Sequence, residues 1–309
     1  MHRKVGPVRI GITVGIGARA ESTIEGLAQR VKEYEDRGFA TAWMANAFGF
    51  DAITALTVAG HDTGRIELGT AVVPTYPRHP VVMAQQALTA QAAMGGRFTL
   101  GIGLSHKVMM TDALGLPYER PARHMREYLA VLAPLLRGDA VSFAGDMYRV
   151  EAALTIGGPP VPVLVAAMGP AMLKIAGSMA DGTITSWVGP RTLSEHVTPS
   201  ITKAASEAGR PASRVVVGLP VALCSDVDAA RQRMAPQVAV YNTLPAYRAM
   251  FEREGASGPA DVALLGDEAA LDAALSRLED AGATDFAAQV VSVEPGATSR
   301  TVEFLAARR

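Results

Sequence analysis

The chain has 309 residues, of which 49% are hydrophobic and 19% are charged, and its formal net charge is −1. This length exceeds that of a small domain but suits one α/β barrel with insertions. With no excess of positive charge, we expect neither a nucleic-acid partner nor attraction to an anionic membrane. The sequence has no charged-then-apolar leader and no apolar run of about 18 residues, so we expect a cytoplasmic protein without a membrane anchor.

Strand-like apolar runs alternate with segments of helical period along the chain. We predict strands at residues 8–14, 40–45, 66–73, 98–104, 161–166, 183–187, 215–223 and 286–291. Between them, helices are predicted from about residue 23, over 52–59 and 80–93, up to 138, from about 170, and over 192–208. A further helix is predicted over 226–253 with an interruption near Pro245, and another precedes the last strand.

Eight strands with following helices favour a (β/α)8 fold, a TIM barrel with insertions, over a doubly wound sheet. We expect one barrel domain over residues 1–309. A strand-like piece at 140–150 lies outside the alternation, which places a predicted insertion at about 106–150.

The segment Gly15-Ile-Gly-Ala-Arg-Ala20 is the main argument for a doubly wound dinucleotide fold. Ser22 and Glu25 form a capping-box pattern that would start the helix at about Thr23, beyond the glycines. The next strand ends in Asn46, where a ribose-binding fold needs an acidic residue. A loop at a barrel mouth explains the segment better.

Two predicted strand ends, about thirty residues apart, run into polar loops at Gly69–Pro80 and Gly96–His106. A helix between them implies parallel neighbours whose loops open on one face. The glycines of Gly101-Ile-Gly103 would let another backbone or a flat ring approach closely, and His106 would stand at the rim. The scattered carboxylates and the single cysteine, Cys224, predict no metal site.

Four segments resemble the luciferase-like flavin and deazaflavin oxidoreductases. They are Tyr76–Pro80, Gly96–Gly103, Met168–Gly177 and Ala180–Thr185. The similarity is closest to the branch that uses coenzyme F420 and includes methylenetetrahydromethanopterin reductase. It implies a homodimer that binds F420, or alternatively FMN, together with a small-molecule substrate.

The resemblance also implies which residues hold the cofactor. A non-proline cis peptide is expected at Ala71-Val72, next to Val73, behind the cofactor ring, although an ordinary strand end is the alternative. The phosphate tail is expected at the loop after the fifth strand and at the end of the sixth, where a simple helix cap is the alternative. The full cofactor-binding set is Asn46, Ala71, Val72, Val73, Gly103, His106, Ala167, Met168, Gly169, Pro170, Ser186, Trp187 and Val188.

Departures from the family pattern narrow the predicted chemistry. This chain has Asn46-Ala47 where alcohol-oxidising members carry Asp-His, so a base for a hydroxyl proton is missing. His106 stands where several members have an acid, and we interpret it as the catalytic proton donor or a hydrogen-bond partner of the substrate. These changes favour reduction of an activated C=C or C=N bond. The alternatives are an FMN-dependent luciferase-like monooxygenase and a non-catalytic flavin-binding protein.

Five further residues have simpler predicted roles. Arg78 and His79 are expected to fix their loop, His124 to lie on a helix surface, and Trp43 to lie in the core. Trp187 is predicted with equal weight to line, or not to line, the ring or substrate pocket.

Overall fold

The computed structural model of the protein describes residues 7–15 and 22–308. Within these ranges the strands are β1 Arg9–Val14, β2 Thr41–Met44, β3 Glu67–Thr70, β4 Val73–Pro74, β5 Phe98–Gly103, β6 Val141–Ala144, β7 Arg149–Ala152, β8 Val163–Ala166, β9 Gly182–Ser186, β10 Arg214–Leu223, β11 Leu264–Gly266 and β12 Asp285–Val290. The helices are α1 Ile24–Asp36, α2 Ala52–His61, α3 Pro80–Ala93, α4 Pro121–Leu136, α5 Pro170–Met179, α6 Pro190–Thr192, α7 Thr198–Glu207, α8 Val227–Val238, α9 Pro245–Glu254, α10 Glu268–Asp280 and α11 Ala297–Ala307. In these ranges no helix is both long and apolar enough to cross a bilayer.

Eight parallel strands close into a barrel. Their order around it is β1, β2, β3, β5, β8, β9, β10 and β12, and β12 pairs back with β1. The short β4 and β11 pair in parallel with β5 and β10. The predicted (β/α)8 barrel is therefore confirmed, and the dinucleotide-fold alternative is wrong.

Some predicted elements differ in detail. The strand-like piece at 140–150 is an antiparallel hairpin of β6 and β7, and Glu127 on α4 accepts hydrogen bonds from its turn at Met147 and Tyr148. The predicted interruption of the helix at 226–253 near Pro245 is present, because α8 and α9 are separate helices joined by a 3-10 turn at Ala239–Thr243, and α9 begins at Pro245. The helix predicted at 192–208 begins at Pro190, and a π-helical turn at Leu193–Val197 joins α6 to α7.

The start of α1 corrects one local prediction. Thr23, not Ser22, is the N-cap, and its hydroxyl accepts a hydrogen bond from the backbone N–H of Gly26 at 3.0 Å. A cap side chain must reach an N–H two or three residues ahead, which Thr23 achieves. Most of the Gly15–Ala20 segment lies outside the described residues.

The barrel interior has its own apolar cluster, separate from the core between the sheet and the helices. It consists of Trp43, Leu164, Ile184, Val216 and Ala287. Trp43 is fully buried, so its predicted core position is confirmed. A Cβ on Gly69 would lie only 2.3 Å from the indole, and the glycine therefore makes room for the ring.

An ionic cluster closes the barrel at the amino ends of the strands. Arg214 donates to both carboxylate oxygens of Asp285, at 2.9 and 2.7 Å, and to Glu67 at 2.5 Å. Arg9 also contacts both acids. Burial raises the pKa of Glu67, but the two arginines outweigh it, and the net shift is downward. Glu67 therefore stays ionised and paired with the arginines.

Candidate active site

A cup opens at the carboxyl ends of the barrel strands. Side chains alternate along a strand, so residues two positions beyond the interior cluster also face inward. Several of them are small, and none carries a charge. They are Ala45, Ala166, Ser186, Gly218 and Gln289. Ala71, Val72 and Ala166 are partly exposed above the interior cluster. The cup is therefore lined by apolar side chains on this side.

The backbone between β3 and β4 forms the wall of this cup. The Ala71-Val72 peptide bond is cis, as predicted. The N–H of Ala71 donates to Met44 O at 2.7 Å, and Val72 O accepts from the Asn46 N–H at 3.4 Å. Val73 is buried and pairs with Ile102 on β5. Of the three residues predicted here, Ala71 and Val72 are therefore the two that offer surface to a ligand.

Two glycines of β5 make room for that wall. A Cβ on Gly101 would lie 2.0 Å from Thr70 O, and one on Gly103 would lie 2.6 Å from Val72 Cγ2. The Thr70 hydroxyl donates to Gly101 O and accepts from the Gly101 N–H, at 2.8 and 2.9 Å. Of the two predicted uses of these glycines, close approach of another backbone is the one present at Gly101.

The loops after β2 and β4 hold each other in place. The side-chain oxygen of Asn46 accepts from the Ala52 N–H at the start of α2, at 2.9 Å. Asp51 caps the same helix and contacts Arg78. His79 Nδ1 accepts from the N–H of Val81 at 3.3 Å. The predicted loop-fixing roles of Arg78 and His79 are confirmed, and the Asn46 side chain is itself engaged with the protein.

The loop after β8 ends at an open helix N-terminus. Gly169 is the N-cap of α5, Pro170 is its first residue, and none of the described side chains caps this end. Ala167 is buried, whereas Gly169 and Pro170 are exposed. His196 Nε2 donates to Met168 O at 2.7 Å and fixes the loop. Free N–H groups and the helix dipole at this position favour an anion.

The second predicted tail position, after β9, is arranged differently. The carboxylate of Glu254 accepts from the N–H groups of Arg191 and Thr192 at 3.1 and 2.7 Å, which fills the N-terminus of α6. Trp187 and Val188 are buried, and the Trp187 N–H donates to Gly218 O. No described side chain occupies the predicted anion position at α5, whereas Glu254 occupies the helix N-terminus that follows β9.

His106 lies at the rim of a cavity of about 650 Å³ that is also lined by Ser105, Tyr118 and residues 243–246. Ser105 adopts a positive φ of 60°, and its carbonyl accepts from the Tyr118 hydroxyl at 3.4 Å. Burial lowers the pKa of His106 below its ordinary 6.5, so the imidazole is neutral at pH 7.

A row of aromatic rings extends from His106 towards β9. His106 lies 5.7 Å from Tyr247, Tyr247 lies 5.1 Å from Tyr241, and Tyr241 lies 4.6 Å from Trp187, measured between ring centroids. Burial raises the pKa of Tyr247, which keeps the phenol protonated. Neither tyrosine is predicted from the sequence, because they lie on a turn and a helix far along the chain without a local motif.

His124 corrects another prediction. It is buried, not on a helix surface, because the side of α4 that carries it packs under the loops of the site. Its ring stacks on Tyr76 at 3.9 Å, and its Nε2 donates to the Thr75 hydroxyl at 2.9 Å. Thr75 in turn donates to Gly103 O. Burial lowers the pKa of His124 to about 4 against a weaker opposing effect of Glu127.

This buried histidine predicts a loss of stability in mild acid. The unfolded chain takes up a proton near pH 6.5, while the folded chain resists protonation down to about pH 4. The contribution of His124 is therefore complete above pH 6.5 and falls by roughly 2–3 kcal/mol as the pH drops to 4. The free energy of unfolding of His124→Asn, measured with urea across this pH range, should lack that part of the pH dependence. The exposed His61→Asn should keep it, and equal curves for His124→Asn and the unmodified protein would contradict the assignment.

Residues 8–295 match the model of a family described as luciferase-like monooxygenase. The chain belongs to the luciferase-like monooxygenase family. The predicted family is thus confirmed.

Members of the luciferase-like family with similar sequences include the 5,10-methylenetetrahydromethanopterin reductase of Methanolobus tindarius, which is 30% identical over 74% of this chain and 70% of its own length. The solved coenzyme F420-dependent tetrahydromethanopterin reductase of Methanopyrus kandleri superposes with a TM-score of 0.81 at 24% identity, covering 98% of both chains. An F420-dependent secondary alcohol dehydrogenase, solved with an F420-acetone adduct, has a TM-score of 0.82 at 18% identity and the same coverage. These structures share the luciferase-like barrel with this chain.

Proposed function

We propose that the protein is an F420-dependent oxidoreductase that transfers hydride between coenzyme F420 and a small organic substrate, reducing an activated C=C or C=N bond. The observation that carries this proposal is the pairing of an apolar cup at Ala71-Val72 with an uncapped helix N-terminus at Gly169. The similarity of this chain to an F420-dependent reductase supports the choice of cofactor.

The described residues fit such a cofactor. A planar ring needs a flat apolar support, which Ala71 and Val72 supply, and a wall free of charges. A phosphate needs free donors, and α5 offers its first-turn N–H groups without a competing side chain. Because Glu254 fills the N-terminus of α6, we assign the tail to Ala167–Pro170, and Trp187 and Val188 form the wall beside it.

Bound in its reduced form, F420 would supply the hydride. The residues of this chain would orient the reactants and manage the proton. Tyr247 and Trp187 form an aromatic wall that would limit access of water. A neutral His106 donates a hydrogen bond to a substrate heteroatom at pH 7, and its imidazolium form donates a proton only as the pH falls below its lowered pKa. Asn46, with its oxygen engaged by Ala52, supplies no base for alcohol oxidation.

We further propose that the active form is a cytoplasmic homodimer of single-domain chains, with neither nucleic-acid nor membrane partners. Large apolar side chains that remain exposed on α2, on α3 and in the loop before α2 support self-association. Phe48 is 72% exposed, and Val58 on α2 and Val82 on α3 are 44% and 47% exposed. Exposed apolar side chains of this size are candidates for an interface between two copies of the chain.

Cofactor titration tests the proposed function. We expect saturable fluorescence quenching of F420 at micromolar protein and weaker binding of FMN. Gly169→Val should weaken F420 binding by about tenfold or more, because a branched side chain would cover the N–H groups of α5. The affinity for the dephosphorylated form of F420 should be unchanged. No heavy atom lies within 4 Å of a Cβ at Gly169, so the variant should fold normally. Binding of FMN but not F420 would favour the monooxygenase alternative, and equal losses for both F420 forms would refute the tail assignment.

A further inference from the structure

A carboxamide and a hydroxyl meet inside the mouth of the barrel. Gln289 on β12 and Ser186 on β9 both face inward, and Gln289 Nε2 donates to Ser186 Oγ at 3.3 Å. The intervening strand, β10, carries Gly218 at the crossing point, where a Cβ would lie 3.2 Å from Gln289 Nε2. The absence of a side chain on Gly218 lets the carboxamide pass over β10.

The hydrogen-bonding capacity of this pair is only partly used. Among the described residues, no group donates to Gln289 Oε1, and the Ser186 hydroxyl has no acceptor. Both residues are partly exposed. One acceptor and one donor therefore remain open side by side. Rotating the carboxamide by 180° exchanges the two roles but still leaves one donor and one acceptor.

The pair lies across the barrel from the predicted cofactor wall. In strand order, β10 is four places from β3, and β9 and β12 flank β10. A ligand held by Ser186 and Gln289 would consequently face the open side of a ring resting on Val72. The inward-facing residues around this pair are uncharged, which disfavours a carboxylate or an ammonium group in the same position.

We infer that Gln289 and Ser186 form a specificity site for a neutral substrate group that carries an N–H beside a C=O, as in a carboxamide, lactam or imide. This inference deepens the proposed function and rests on it for the side of the barrel that the substrate occupies. The N–H of the ligand donates to Gln289 Oε1, and its carbonyl accepts from the Ser186 hydroxyl. A lactone offers the carbonyl alone and leaves the Gln289 acceptor unpaired, which is costly once the bound ligand excludes water from the pair.

Matched probes test the inference without turnover. The unsaturated lactam 5,6-dihydropyridin-2-one and the corresponding lactone differ by one N–H group. Calorimetric titration should show about tenfold tighter binding of the lactam to the protein with and without F420, as expected from one hydrogen bond to an otherwise unpaired group. Gln289→Leu should abolish this preference, and Ser186→Ala should weaken binding of both probes. Gln232→Leu, at an exposed position on α8, is the matched control and should behave as the unmodified protein.

Equal binding of the two probes, or a preference that survives in Gln289→Leu, would overturn the inference. If Gln289→Leu does not fold, as judged by circular dichroism, an undiminished affinity in Ser186→Ala would overturn it instead. Failure of F420 to bind, with the lactam preference intact, would refute the proposed cofactor while leaving the specificity site in place. The two failures are therefore distinguishable.

Discussion

Replacing Arg214 by Met is expected to lower the free energy of unfolding by about 3 kcal/mol or more, because it leaves two acids without their main partner at the closed end of the barrel. The Asp285 side chain is only 2% exposed and receives two hydrogen bonds from Arg214. Glu67 loses a contact of 2.5 Å, and Arg9 alone must compensate both charges. Urea unfolding at pH 7 measures the change directly.

Arg9→Met is the matched control for this prediction. It removes a contact to each of the same acids, but the Arg9 side chain is 44% exposed, so the expected loss is about 1 kcal/mol or less. The loss caused by Arg214→Met should shrink as the pH falls, because removing the arginine raises the pKa of Glu67 back towards its ordinary range. Equal effects of the two substitutions, or a loss independent of pH, would argue against a buried ionic cluster.

Replacing Gly101 by Ala is expected to disturb the cup itself. The added Cβ would lie 2.0 Å from Thr70 O and 3.2 Å from Val72 Cγ1, so the backbone of the cofactor wall must move. The hydrogen bonds that join Thr70 to Gly101 would be strained as well. We expect a loss of about 2–4 kcal/mol in the free energy of unfolding. F420 affinity should fall by at least about tenfold, since that corresponds to only 1.4 kcal/mol.

The control for this substitution is Gly157→Ala. Gly157 is exposed, and no heavy atom lies within 4 Å of a Cβ built there. Thermal unfolding and F420 fluorescence titration should show little change for this variant. If Gly101→Ala retained both normal stability and normal F420 affinity, close packing of β5 against the wall would not matter for the site.

The barrel could be predicted from the sequence because buried parallel strands are continuous apolar runs, and the helices between them repeat an apolar face. The Ala71-Val72 cis bond was predictable only through the family resemblance. His124 was misplaced, because flanking arginines suggest a surface helix and burial depends on packing between distant elements. Tyr247 and Gln289 had no local signal, since their neighbours in space come from other strands and from the turn after α8.

The helical segment from Pro190 to Glu207 connects the two halves of the candidate site. N–H groups of its first turn donate to the carboxylate of Glu254 at the end of α9, the helix that carries Tyr247. Four residues beyond the end of α6, about one helical turn, His196 donates a hydrogen bond to the carbonyl of Met168 beside the open end of α5. One continuous helical segment therefore holds both the loop that carries Met168 and the helix that carries Tyr247, so the anion position and the aromatic residues share a single support.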